Sequence, residues 1–520
     1  MHLLNIEQSG DLYASGEAVD LGQSPADMVI LTAADSEISL LAEAASQSGF
    51  AANDLRLANI LTLSHPFSID LYIQNTLSHA RMIVVRLLGG SGYWPYGVEQ
   101  LSLMAKQHGI ILAMLPGDGR ADPEMDRLST LPPEQLAQLA AYLDHGGMAN
   151  ARALLMAMTD IMTASDTAPP PRPLLKSGLY WPGQTPVDMA DMHTIWHAAI
   201  PDKTEQPPPI AAIVFYRALM QSGQTAPVDA LISALTNQGI CALPIYASSL
   251  KETESAGITA SLLEQAGAGV ILNATSFAVS DPVQHKGDND QSPGPFGAVN
   301  APVLQVVFST STKSQWQDGM AGLNARDLAM NVVLPELDGR IISRAVGFKT
   351  SPVKDTLTEA MVSRYEAEPN RAEWVAMLAK NWLMLSQKPR DQIRLAMVMA
   401  NYPNRDGRLA NGVGLDTPAS ALSVMRRLEA EGYHIADCPS DTRTLMDAIK
   451  SRPTNSGIDG RQVDAWMPLA DYKACFAALP DTVQQLITER WGMPETDPMI
   501  GMMPDAAEQG FALPVVMMGH

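Results

Sequence analysis

One unit recurs along this chain and limits what it can fold into: an aliphatic run, a polar exit, a helix-like stretch and a glycine. In the first region "DMVILTAAD" (27–35) reads as a strand ending in polar residues, and "SEISLLAEAASQSG" as a helix stopped by Gly49. "LRLANILTL" and "ARMIVVRLLGG" read as further strands, "YGVEQLSLMAKQHG" as a helix closed by Gly109, and "IILAMLPGD" as the next strand. Strand, turn, helix, glycine, strand is the rhythm of a parallel sheet. It returns in "IAAIVFYR" (210–217), "GQTAPVDALISALTNQG" (223–239), "CALPIYASSL", "SLLEQAGAGVILNATSF" and "APVLQVVFST". A third instance is read from Arg394, where "IRLAMVM" is apolar on both faces, as a central parallel strand is.

At 520 residues the chain is too long for one core. The expected fold class is α/β, with several Rossmann-like or flavodoxin-like parallel-sheet units joined by helical and proline-rich linkers. The expected division is an N-terminal α/β domain (1–130), a helical and proline-rich connector (131–208) and a second α/β domain (209–350). A helical bridge (351–392) and a third α/β domain (393–520) complete it. "SDTAPPPRPLLKSG" (165–178) and "KTEQPPPI" (203–210) are dense enough in proline to act as semi-extended spacers. The final "GFALPVVMMGH" reads as an apolar strand with nothing after it to cover or pair it, so a longer protein is expected.

Composition excludes several classes. No apolar run reaches the ~18–20 residues that a membrane span requires, and the first twenty residues lack the pattern of a secretory signal. Three scattered cysteines (Cys241, Cys438, Cys475) show no CxxC spacing, which argues against a disulfide framework and fits the cytoplasm. A net charge of −21 repels nucleic acid and anionic lipid, so neither is expected as a partner.

The densest polar segment is "NYPNRDGRLANGVGLD" (401–416), read as a long loop leaving a parallel strand at its carboxyl end, where open α/β folds bind ligands. Thr417 is the expected cap and Pro418 the first residue of the helix that follows. Arg405 and Arg408 offer planar donors for carboxylate or phosphate, and Asn404, Asn411, Asp406 and Asp416 offer amide and carboxylate groups. Mutual pairing of those charges reads equally well as structure. The chain has neither GxGxxG in this loop nor GxxxxGK[ST] anywhere, so it is not a nucleotide loop.

At the matching place in the first region, Tyr93 and Trp94 in "VRLLGGSGYWPYGVEQ" suit either a platform for a flat ligand or an interior packing site. In the second region Tyr216, Arg217 and Asn273 stand at strand ends. "HTIWH" sets His193 and His197 one helical turn apart. Without the glutamate of HExxH or a third ligand, two ordinary histidines on a helix face fit better than a metal pair. No nucleophile elbow is present, so hydrolase chemistry has no support.

The segment "ANYPNRDGRLANGVGLDTPAS" resembles the CobN-type large subunits of aerobic cobaltochelatase, relatives of the magnesium chelatase large subunit. The resemblance runs along the whole chain through "AVDLGQSPADMVILTAADSE", "VVRLLGGSGYWPYGVEQL", "FYRALMQSGQTAPVDALISALTNQGICALPIYASSLKE", "VILNATSFAVS" and "ARDLAMNVVLPELDGRIISRAVGFK". It implies insertion of Co²⁺, as substrate metal, into hydrogenobyrinic acid a,c-diamide during cobalamin biosynthesis. ATP and Mg²⁺ would belong to separate AAA+ partner subunits.

The resemblance implies a corrin-binding role for Tyr93, Trp94, Tyr216, Arg217, Asn273, Asn404, Arg405, Asp406, Arg408, Asn411 and Asp416. It supplies no catalytic or metal-binding residue, because the family's His- and Glu-bearing segment lies beyond residue 520. Position 410 is Ala where the family tends to have Gly. The alternatives are a magnesium chelatase large subunit, with protoporphyrin as its substrate, and a non-catalytic scaffold that docks AAA+ partners.

Overall fold

A computed structural model of the chain describes residues 18–117, 122–200, 207–279, 294–320, 322–402, 406–504 and 508–519. The chain divides into two compact units, Met1–Leu383 and Met384–His520.

The first unit contains two sheets. The first sheet is built from β1 (Met28–Thr32), β2 (Leu55–Asn59), β3 (Met82–Leu87) and β4 (Ile111–Pro116). Its order is β2-β1-β3-β4 with every pairing parallel. The strands are mostly apolar, with Arg56 and Arg86 as buried exceptions, because helices cover both faces. One face packs on the helices Asp35–Gln47, Pro133–His145 and Gly147–Thr163, the other on Pro66–Asn75 and Pro95–His108.

The second sheet opens with a hairpin inside the expected connector, β5 (Ser177–Trp181) and β6 (Gln184–Val187). Then follow β7 (Ile210–Tyr216), β8 (Cys241–Ala247), β9 (Val270–Asn273), β10 (Val303–Thr312) and β11 (Ile341–Lys349). A small hairpin, β12 (Val353–Lys354) with β13 (Met361–Val362), precedes the edge strand β14 (Tyr365–Ala367). The order is β14-β11-β10-β9-β7-β8-β5-β6, parallel from β11 to β8 and antiparallel at both edges. Counted by parallel strands alone, the second sheet repeats the 2-1-3-4 order of the first and adds a fifth strand.

The expected α/β class is therefore found, and two of the three parallel units are present. The helix in the 351–392 segment, Pro369–Gln387, is more than a bridge: Ala372, Val375, Ala376, Ala379 and Leu383 bury themselves in the core of the second sheet. The β12–β13 hairpin returns to the first sheet, where Glu359 pairs with the fully buried Arg56 at 3.1 Å and Ser39 Oγ donates to the Ser363 carbonyl at 2.9 Å. These long-range ties join the two sheets into one unit.

The second unit differs from the expected parallel domain. Residues 393–400 form no strand, and Leu395 and Val398 are exposed, the latter by 92%. An apolar run becomes a parallel strand only where a sheet edge stands ready for it, and none does so among the described residues. The sheet here is antiparallel and short, in the order β15-β17-β16, with β15 at Trp466–Pro468, β16 at Ile500–Met502 and β17 at Gln509–Ala512. The apolar segment at the end of the sequence thus begins in the central strand of this sheet, paired on both sides. No helix among the described residues is long and apolar enough to cross a membrane.

Candidate functional site

In a parallel sheet of order 2-1-3, connections leave strands 1 and 3 to opposite faces, and a crevice opens outside their carboxyl ends. Both sheets have such a crevice, and a cleft lies at each.

The first cleft, of about 490 Å³, is at the ends of β1, β3 and β4. Arg86, the one charge in the strand "MIVVRL", is 5% exposed at its floor. Its guanidinium donates to Glu37, in the first turn after β1, to Asp144 Oδ1 at 2.7 Å and to the Gly117 carbonyl at 3.4 Å. Glu37 also accepts from Thr32 Oγ1 at 2.7 Å. Burial raises the Asp144 carboxyl above its ordinary range, and this outweighs the opposing pull of Arg86. The far wall is the short helix Arg217–Gln221, which follows β7 of the second sheet. Gly146 lets the two walls meet. Its φ is +63°, and a Cβ there would stand 2.6 Å from the Gln221 carbonyl oxygen.

The second cleft, of about 160 Å³, is at the ends of β7, β9 and β10 and includes Tyr216, Ser276, Phe277, Thr310 and Arg326. Arg217, Ala218 and Gln221 line both clefts, so one helical turn separates them. Arg217 is anchored by Nε to the Leu175 carbonyl at 2.8 Å and by a terminal nitrogen to the Leu174 carbonyl at 2.9 Å. Burial lowers its pKa, with Tyr246 and Asp144 opposing. The Tyr216 hydroxyl donates to the Ser276 carbonyl at 3.1 Å.

Among the residues singled out from the sequence, Tyr216 and Arg217 are brought together at this double site. Trp94 is a core residue: it is buried, and its Nε1 donates to the Leu63 carbonyl at 2.9 Å. Neighbouring Tyr93 is 43% exposed. Asn273, the last residue of β9, is fully buried. Its amide donates to the Thr275 carbonyl at 3.1 Å and to Gln305 Oε1 at 2.9 Å, and Arg340 joins the same Gln305 oxygen at 3.1 Å. An amide with every bond committed stabilises its loop and has none left for a ligand.

In the second unit Asp406 accepts from Thr454 Oγ1 at 2.7 Å, Ser456 Oγ at 2.9 Å and Arg461 at 2.6 Å. These bonds, those from Thr454 and Arg461 foremost, hold its carboxyl at about 2. Asp416, where Thr417 is expected, caps the helix Thr417–Ala430 by accepting from Ala419 N–H at 3.0 Å. Arg408 and Asn411 are exposed. Asn404 and Arg405 lie outside the described residues.

Asp188 and Asp191 form a capping box, and His193 packs edge-on against Trp196 at 5.2 Å. Among the described residues no three His, Cys, Asp or Glu side chains gather closely enough to hold a metal ion.

Sequence reasoning passed over Arg86, Glu37, Asp144 and Arg326. The first two left a signal: a lone charge at the carboxyl end of an otherwise apolar central strand, and an acid in the helical turn after its neighbour.

A family model described as CobN/Magnesium Chelatase matches residues 140–520. The aerobic cobaltochelatase subunit CobN of a Sinorhizobium species is 41% identical over 520 residues, all of this chain and 40% of that protein. The chloroplastic magnesium-chelatase subunit ChlH of Oryza sativa subsp. indica is 23% identical over 304 residues, 56% of this chain and 20% of that one. The catalytic subunit of cobaltochelatase from Mycobacterium tuberculosis superposes with a TM-score of 0.67 at 26% identity, covering 93% of this chain and 37% of that chain. The chain thus spans about two fifths of the Sinorhizobium relative. Matched by one family model from residue 140 to its last residue, and aligned end to end with that CobN subunit, the chain belongs to the CobN/magnesium chelatase family.

Proposed function

We propose that this chain supplies part of the corrin-holding large subunit of an ATP-dependent cobaltochelatase, acting in the cytoplasm in cobalamin biosynthesis. The reaction is insertion of Co²⁺ into hydrogenobyrinic acid a,c-diamide. ATP and Mg²⁺ are bound by AAA+ partner subunits that dock on the assembled large subunit. One observation carries the choice of ring: identity is 41% along the whole chain to a CobN subunit and 23%, over 304 residues, to a magnesium-chelatase ChlH subunit.

The size of the first cleft supports that reading. A volume of 490 Å³ lies within the roughly 300–1,000 Å³ of ligand pockets, enough for one edge of a tetrapyrrole. Of the sequence-derived residues, Arg217 lines this cleft, and Tyr216 lines the smaller one across the same helical turn.

Titration of the purified 520-residue chain with hydrogenobyrinic acid a,c-diamide and with protoporphyrin tests the proposal. Tighter binding of the corrin is expected. A porphyrin preference would transfer the chain to the magnesium branch, and retained AAA+ binding without either ligand would make it a scaffold.

A further inference from the structure

The second cleft holds features that the reading above leaves unused. At about 160 Å³ it is too small for a macrocycle and large enough for one arm of a ligand. Both of its walls carry unusual backbone. Phe277 is held at φ +69°, and its N–H donates to the Met330 carbonyl at 2.9 Å. Met330 belongs to a π-helical turn, Ala329–Val333, clamped again where Ser276 Oγ donates to Asn331 Oδ1 at 2.7 Å. A bulky side chain in the left-handed region and a π-turn both cost energy, and such features collect at functional sites.

The charges around this cleft are unbalanced. Arg326 lines it, and among the described residues its guanidinium has no hydrogen bond or ion pair. Lys349, at the carboxyl end of β11, is 7% exposed. Its ammonium lies 5.9 Å from the ring of Tyr365, another wall residue, and among the described residues it forms neither a hydrogen bond nor an ion pair.

Burial pulls the pKa of Lys349 down and Arg326 adds to that, while Asp35 and Asp327 oppose it. Asp327 does not neutralise these cations by contact. It is buried, and its carboxylate is filled by Ser309 Oγ at 2.7 Å, Thr310 N–H at 2.8 Å and Asn324 Nδ2 at 3.2 Å. An unpaired guanidinium on the wall of a cleft, with a second unpaired cation nearby, favours an entering anion.

We infer that the cleft at the ends of β7 and β9 is a carboxylate-binding subsite, in which Arg326 takes one acidic arm of the ligand and Lys349, beside the wall residue Tyr365, adds to the positive field. Naming that arm as a peripheral carboxylate of the corrin rests on the proposed function; the charge arrangement itself does not.

The test is calorimetric titration of the full 520-residue chain with hydrogenobyrinic acid a,c-diamide and, separately, with tricarballylate, a ring-free tricarboxylate. Both are run on wild type, Arg326→Ala and Lys349→Met at low and high chloride. Arg326 is exposed, so its variant folds, and circular dichroism checks both variants. The wild type is expected to lose corrin affinity as chloride rises. Arg326→Ala is expected to weaken binding about ten- to a hundredfold, the range for a hydrogen bond to a charged group, and to flatten the chloride dependence.

Corrin binding equal in wild type and Arg326→Ala would overturn the subsite and leave the cobaltochelatase reading standing. Tricarballylate binding that Arg326→Ala abolishes, with no corrin binding at all, would support the subsite and remove that reading. Failure of the wild type to bind either acid would overturn the subsite.

Discussion

The two clefts of the first unit share a strand order and differ in how their charges are settled. At the first, Arg86 is held by two carboxylates, Glu37 and Asp144, so the site is locked by its own ion pairs. At the second, Asn273, Thr275 and Gln305 form a buried network with Arg340, itself paired with Asp338, and Arg326 remains outside it. Topology opens a crevice in both places. The pairing of side chains decides how much unpaired charge each crevice presents to a ligand.

That contrast is most exposed to failure at Arg86. Arg86→Met strands Glu37 and Asp144 beside an apolar floor, and denaturant melts at neutral pH are expected to show a loss of about 3–5 kcal/mol. A loss no larger than that of a surface substitution would mean the ion pairs do not brace the cleft.

The same variant carries a pH signature. Burial already raises the Asp144 pKa, and Arg86 is the main group opposing it. Removing Arg86 raises that pKa further. A carboxyl raised in the folded state costs stability in full above its folded pKa, and that cost fades as pH falls from there to the ordinary value of the unfolded chain. The Arg86→Met deficit is therefore expected to shrink between neutral pH and about pH 4, the ordinary carboxylate value. Melts across that range check the sign, and a deficit that grows in acid contradicts it.

On the other side of the comparison, Asn273→Ala leaves Gln305 and Thr275 short of partners, with an expected cost of about 1–3 kcal/mol by chemical denaturation. Arg326→Ala is expected to change stability by no more than about 0.5 kcal/mol, because nothing in the fold rests on its guanidinium. A large loss there would make Arg326 a structural residue and bring the two clefts closer in kind.

Much of the first unit was legible because its strands are apolar on both faces and its turns are marked. "DMVILTAAD" gives β1, Gly109 at φ +68° ends Pro95–His108, and "IAAIVFYR" gives β7. The same rule misread "IRLAMVM", since apolar composition specifies burial and says nothing about whether a neighbouring strand exists. The β5–β6 hairpin was hidden by the prolines around it.

Site residues were harder to read because a polar side chain at a strand end serves equally well as a structural tie. Asn273 and Asp406 spend their hydrogen bonds within the fold, Trp94 turns inward, and Tyr216 and Arg217 face a cleft; nothing in their types or spacing separates these fates. Ala410 was flagged only as a departure from Gly, and its φ of +58° supplies the physical meaning. The backbone there adopts the left-handed region, which an alanine enters at a cost of about 1–2 kcal/mol.

The turn Arg217–Gln221 is a party wall between two chambers. A guest that displaced it from one side would change the room left on the other, and two such guests would then be coupled through it. Thermodynamic reciprocity then sets the rule for such a pair: whatever the larger guest does to the affinity of the smaller, the smaller does in equal measure in return.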